Sequence, residues 1–390
     1  MVAMKKYLIT DYGVKKNVNE LQTKEIQAVL DLCKENGGTV VIPKGEFHVS
    51  SLRLWSDTTL YLEKGASLIG SENCNDYEVF DVPEGMEMRS DMELITQYYG
   101  KAWETYRRAM ITAYGEKNIS IIGESGSVID GRHCYDPDGE EGYRGPHIIF
   151  LSCCENVLFE GYIARFAGNF MHEANNCKNL VMRRVSCFGG SDGIHLHCTN
   201  NALIEDCLFK TGDDCIAGIN VKDLLVRRCI LNTSCNLFRI GGVGVRVENC
   251  YAYGDGYYPH RMTVVKGRNN ELPREEGRHN THWLVEYFSS ANYMFEPSVL
   301  YFKDCVFENI KGALFYRADD NPLQKGTRLR EFILENVTFT DLKETSYPIV
   351  APDSPLTITL KNVQASFNEQ NEGKPLFAFD EGAPIKIIEE

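Results

Sequence analysis

The chain has 390 residues, 43% of them hydrophobic, and carries 41 Lys and Arg against 55 Asp and Glu, a net charge of −14. With no basic run, that balance argues against nucleic acid as the main partner, although a local basic pocket can still hold an anion. No window is long and apolar enough for a membrane span.

At the N-terminus, Lys5 and Lys6 are followed only by a short apolar stretch that Asp11 interrupts, which is not a secretory pattern. A cytoplasmic protein is therefore expected, or a secreted one if a signal has been removed. Thr23 is placed to cap a helix over about 23–36, with Ile26, Val29, Leu30 and Cys33 at helical spacing and Gly37-Gly38 ending it. An amphipathic helix at this place suits a lid over the first open coil of a solenoid.

Short strand patterns then recur. They start at Asn156, Asn179, Asn201, Asp223 and Gly244, in steps of 23, 22, 22 and 21 residues. Wider-spaced members begin at Leu300, Phe332 and Ile358. Each alternates apolar with polar residues, the period of a half-buried strand. A leucine-rich horseshoe shares this period, but its leucine pattern and helical segment are missing. The expected fold is all-β: a right-handed parallel β-helix over about 40–365 in a single domain, 1–390, with the N-terminal helix as its cap. Loop excursions at about 81–110 and 255–298 break the repeat and carry aromatic and basic residues, as binding loops on rigid scaffolds often do.

The 14 cysteines follow the repeat. Cys207, Cys229, Cys250 and Cys305 hold one register and Cys154 and Cys177 another, which implies reduced interior stacks rather than disulfides or a zinc site.

Two acidic points stand one coil apart. Asp192 lies in Ser191-Asp192-Gly193, and Asp213 and Asp214 lie in Gly212-Asp213-Asp214-Cys215, at offsets of 21 and 22 residues. Stacked coils bring the three carboxylates together, and their repulsion should raise at least one pKa, the condition for a general acid. Adjacent residues on a strand point to opposite faces, so Asp213 and Asp214 can share a cleft only at a corner.

These motifs resemble the polygalacturonase family of pectin-degrading glycoside hydrolases. The resemblance also covers Tyr12-Gly13, Val41 to Gly45, Gly65 to Gly70, Val128 to Gly131 and Arg144 to His147, and it weakens beyond Cys250. It implies that Asp213 protonates the leaving oxygen while Asp192 and Asp214 hold the attacking water, with inversion at the anomeric carbon. Gly190-Ser191 stands where the family has Asn-Thr. The family's Gly-His-Gly is replaced by Ser234 to Gly242, where Arg239 offers a cation beside Asp214. Its Arg-Ile-Lys is absent, with Lys266 and Arg268 as weak substitutes.

His195, His197, Tyr258 and His260 complete the candidate substrate contacts. His195 and His197 share strand parity, but no third ligand is evident, so no metal and no cofactor are expected. The expected partner is an oligosaccharide of the pectin-derived kind, cut from one end. A lyase or epimerase on the same fold and a non-catalytic carbohydrate-binding solenoid are the alternatives.

Overall fold

The computed structural model describes residues 5–86, 103–139, 141–261, 277–289, 297–319, 321, 323–324 and 326–390. Among them a single 29-stranded sheet runs through the molecule, and every strand pairing is parallel to the strand one coil away. The chain is a right-handed parallel β-helix. It extends further than the repeat indicates: Lys6–Leu8 already pairs with Thr39–Val41, and Ile385–Glu389 pairs with Leu356–Leu360.

Side-chain alternation divides the coil. Leu151, Ala174, Leu196, Gly218, Ile240 and Tyr287 stack in register along one strand position and fill the interior. One residue earlier on the same strands, Phe150, Glu173, His195, Ala217, Arg239 and Glu286 form the opposite row and face outward.

The corners explain the polar residue at the head of each repeat. Asn118, Asn156, Asn179, Asn201 and Asp223 all take the left-handed conformation, with φ between 54° and 59°. Asn tolerates this region better than most residues with a Cβ. The side chains join into a ladder: Asn156 Nδ2 donates to Asn118 Oδ1 at 2.9 Å, Asn179 to Asn156 at 2.9 Å, and Asn201 to Asn179 at 2.8 Å.

Cysteines line a neighbouring interior position. Cys207, Cys229, Cys250 and Cys305 are buried and follow one another coil by coil, with Cys250 N donating to Cys305 Sγ at 3.4 Å. All 14 are free thiols.

The cap helix forms but is shorter than its spacing suggests, Thr23–Asp31. Thr23 does not cap it, because its hydroxyl is occupied across the coil, accepting from Ser50 N at 2.8 Å. Residues 32–36 tighten into turns, with Cys33 N donating to Leu30 O, and Gly37 then closes the end with φ 66° and a bond to Cys33 O. The 255–298 excursion also contains regular structure. Trp283–Tyr287 is a strand pairing Phe238 with Val285, so the helix recovers its next coil inside the segment expected to be loop.

Candidate active site

Asp192 and Asp214 each precede a strand by two residues, and those strands pair with Ile194 opposite Ile216. The two acids therefore occupy equivalent places on neighbouring coils, and Asn236 takes the same place one coil further on, before Phe238. Asp213 sits one residue earlier, at a bend. Thr211 Oγ1 donates to its carbonyl at 2.7 Å, and Thr233 Oγ1 donates to the same oxygen from the next coil. That anchoring suspends strand alternation, and one oxygen from each of Asp192, Asp213 and Asp214 lies within 4.8 Å of the others. The acids are almost fully enclosed, at 2%, 7% and 2% exposure.

Gly212 makes room for the rest of the site. A Cβ at this position would lie 2.0 Å from the Pro259 carbonyl oxygen, so glycine is what admits the returning excursion. The excursion then delivers His260, whose Nε2 is 3.4 Å from Asp213 Oδ1, and Arg261, whose Nε is 4.0 Å from Asp213 Oδ2. Arg261 is buried and anchored by bonds to Gly168 O, Asn169 O and Ser191 Oγ, each 2.9 Å. Arg144 approaches from the other side, with Nη2 3.5 Å from Asp213 Oδ2.

These cations reverse the expected order of titration. Burial would raise Asp213, but His260, Arg144 and Arg261 outweigh it and hold its carboxyl well below the usual range. Asp192 is raised well above its ordinary value by burial and by Asp213 and Asp214. Asp214 is raised to about 7 by burial and by the Asp213 charge, against the pull of Arg239. The crowding is as expected, yet the proton of the empty cleft rests on the neighbours of Asp213. Asp214 is positioned by Asn236, which donates to its Oδ1 from the backbone N at 3.1 Å and from Nδ2 at 3.0 Å.

The remaining candidates divide. Arg239 lies close enough to act on Asp214; its guanidinium also sits 4.1 Å above the Phe288 ring, and its Nε is 4.0 Å from Glu286 Oε1. His195 Nδ1 is 3.6 Å from Asp192 Oδ2, and His197 lies beside it, with ring centroids 4.4 Å apart. Tyr258 is half-buried, its ring against Phe166 and Tyr257. Lys266 and Arg268 lie outside the described residues.

Sequence reasoning missed Arg144, Glu173, Asn236 and Glu286. Two of these carried a signal. Glu173 precedes His195 by one coil of 22 residues, and Asn236 follows Asp214 by the same interval. Arg144 reaches the acids across coils, which no spacing rule registers.

No family model matches the chain. Sequence relatives do. It is 25% identical over 256 residues to an exo-poly-alpha-D-galacturonosidase of Dickeya chrysanthemi, covering 53% of this chain and 41% of that protein. It is 23% identical over 257 residues to a probable polygalacturonase of Vitis vinifera, covering 56% of this chain and 48% of the relative. The chain is polygalacturonase-like. The match spans less than half of either relative's length. Over 99% of this polygalacturonase-like chain, the fold superposes on the Family 28 exopolygalacturonase of Yersinia enterocolitica, with a TM-score of 0.65, 19% identity and 78% of that chain covered.

Proposed function

We propose that the chain is a glycoside hydrolase that removes sugar units from the end of an acidic oligosaccharide related to polygalacturonate, with inversion. The observation that carries this reading is the enclosed group of three carboxyls, one held ionised and one titrating near 7. Their burial supports a closed cleft and end-wise cleavage, and the relatives above favour the substrate class.

The three carboxyls act as one titrating unit. In the empty cleft Asp214 stores the proton. An anionic sugar entering the cleft competes for Arg144 and His260, which releases Asp213 from their hold. The proton then passes from Asp214 to Asp213, producing an acid and a carboxylate base in one step. Asp213 protonates the leaving oxygen, while Asp214, now a carboxylate, takes one proton from the attacking water and Asp192 orients that water by a hydrogen bond. The group is tighter than the separation of about 6.5–9.5 Å usual for inverting enzymes. Inversion therefore rests on the likeness to polygalacturonases, and product stereochemistry decides it.

The test combines a screen of pectic oligosaccharides with mass analysis of products and early NMR of the released anomer. The expected result is hydrolysis with inversion. Asp213→Asn should lower turnover by about 100-fold or more with binding preserved, and a substrate whose leaving group needs no proton should restore much of the loss. Rescue of Asp214→Asn in place of Asp213→Asn would move the acid to Asp214. An ultraviolet-absorbing unsaturated product would replace the reading with a lyase, and binding without turnover would replace it with a non-catalytic solenoid.

A further inference from the structure

The outward row that carries His195 and Arg239 holds a second group of convergent side chains, on the coil of Asp192 and the one before it. His195 and His197 stand two residues apart on the strand Ile194–His197, and both face the cleft. On the preceding coil, Glu173 lies opposite His195 and Asn175 lies opposite His197. The four form a two-by-two patch with about 4.8 Å between strands.

Glu173, His195 and His197 each present a ligand atom within 4.8 Å of the other two. His195 Nδ1 is 3.8 Å from Glu173 Oε2, and His197 Nε2 is 3.9 Å from Glu173 Oε1. Both separations are too long for hydrogen bonds. Two ligands on one tetrahedral zinc, each about 2.1 Å from it, sit about 3.4 Å apart. These two separations, one to each carboxylate oxygen, need to close by about half an ångström, and the two imidazoles stand within 4.8 Å of each other. The carboxylate side chain is fully buried, and both imidazoles are nearly so.

Asn175 supplies an independent observation. It is fully buried, and among the described residues neither its amide oxygen nor its amide nitrogen has a hydrogen-bond partner. A buried amide left in this state costs about 1–3 kcal/mol unless something fills the position. Its place beside His197 and two residues after Glu173 makes it the natural fourth member of a ligand set.

The surroundings suit a cation. Tyr106 Oη donates to Glu173 Oε1 at 3.2 Å, which orients the carboxylate, and the Phe170 ring packs edge-on against His195 at 4.4 Å. Asp192 lies 3.6 Å from His195 and adds negative charge. A second trio, Asp213, Cys235 and His260, also converges, but guanidiniums at 3.5 and 4.0 Å from Asp213 repel a cation there.

We propose that Glu173, His195 and His197, with the Asn175 amide oxygen, bind one divalent transition-metal ion on the floor of the cleft. Imidazole nitrogen with carboxylate oxygen suits zinc and its neighbours better than calcium or magnesium. The ion sets a fixed positive charge beside Asp192, on the side of the acids away from Arg144 and Arg261. It offers an oxygen-rich or anionic sugar group a point of attachment.

The test strips the full-length protein with chelator and titrates Zn²⁺ alone by calorimetry, counting retained metal by mass spectrometry after gel filtration. One ion per chain is expected. Glu173→Gln and His197→Ala should each weaken binding by about 10- to 100-fold or more, and Cys235→Ser should leave it unchanged. Because either variant could disturb packing, circular dichroism and melting accompany each one, and Asn175→Asp, which adds charge at the same place, should tighten binding. No retained zinc, zinc binding that survives both ligand variants, or loss in Cys235→Ser would overturn the site. Metal content is read without any substrate, so failure here leaves the hydrolase reading standing, and a zinc-binding protein without glycosidase activity defeats only that reading.

Discussion

Asp214 can be tested through stability as well as turnover. Its pKa rises from an ordinary 3.8 to about 7 in the fold. A raised acid favours the native state fully below 3.8, where both states are protonated. That contribution is lost as pH climbs from 3.8 through about 7, because the unfolded chain ionises first, and above 7 the loss is complete. At about 1.4 kcal/mol per pH unit the interval amounts to about 4 kcal/mol. Asp214→Asn keeps an oxygen for the two Asn236 donors and removes the charge. The variant should be more stable than the parent at pH 8 by about 4 kcal/mol and nearly equal to it at pH 4. Unfolding entropy for a chain this long is about 0.8 kcal/mol per degree, so the melting temperature should rise by about 5 °C at pH 8. Turnover should fall by about 100-fold in the same protein. Paired melts at the two pH values, with a kinetic assay, measure both. Equal melting of variant and parent at pH 8, or a destabilised variant, would show that the fold does not strain the Asp214 carboxylate and would remove the stored proton from the mechanism.

Arg239→Ala should raise KM by about tenfold while shifting the melting temperature by less than about 2 °C, because the guanidinium lies over Phe288 and its contact with Glu286 Oε1 is 4.0 Å long; a large loss of stability with KM unchanged would make Arg239 structural. At the corner ladder, Asn179→Ala should cost about 1–2 kcal/mol, since alanine pays for the left-handed conformation. Asn179→Gly should cost less than half as much in urea unfolding, and equal losses would assign the effect to the side-chain ladder instead.

The architecture and the acids were legible because both depend on one number, the coil length. An offset of 22 residues places Asp192 and Asp214 at equivalent strand positions, and the ladder of left-handed corners keeps that count constant. Where the chain leaves the count, legibility ends. The strand Trp283–Tyr287 opposes Phe238–Ile240 across 47 residues, so no period announces it. The capping role of Thr23 was misjudged because its hydroxyl is used across the coil by Ser50, a contact between distant segments. The charge state of Asp213 was hidden for the same reason. Crowding by like charges could be inferred from spacing, but Arg144 and Arg261 enter from segments whose approach depends on tertiary packing, including the gap left by Gly212.

The corner ladder also sets the grammar by which this molecule can change. Its hydrogen bonds join each coil to the next at a fixed phase, so a whole coil can be gained or lost without turning any side chain inside out, whereas a single inserted residue within a strand would exchange the interior row for the cleft row. Loops that leave between strands are exempt from that phase. The segment carrying His260 and Arg261 is one of them, which separates the part of the molecule that must hold three acids in place from the part free to choose what they meet.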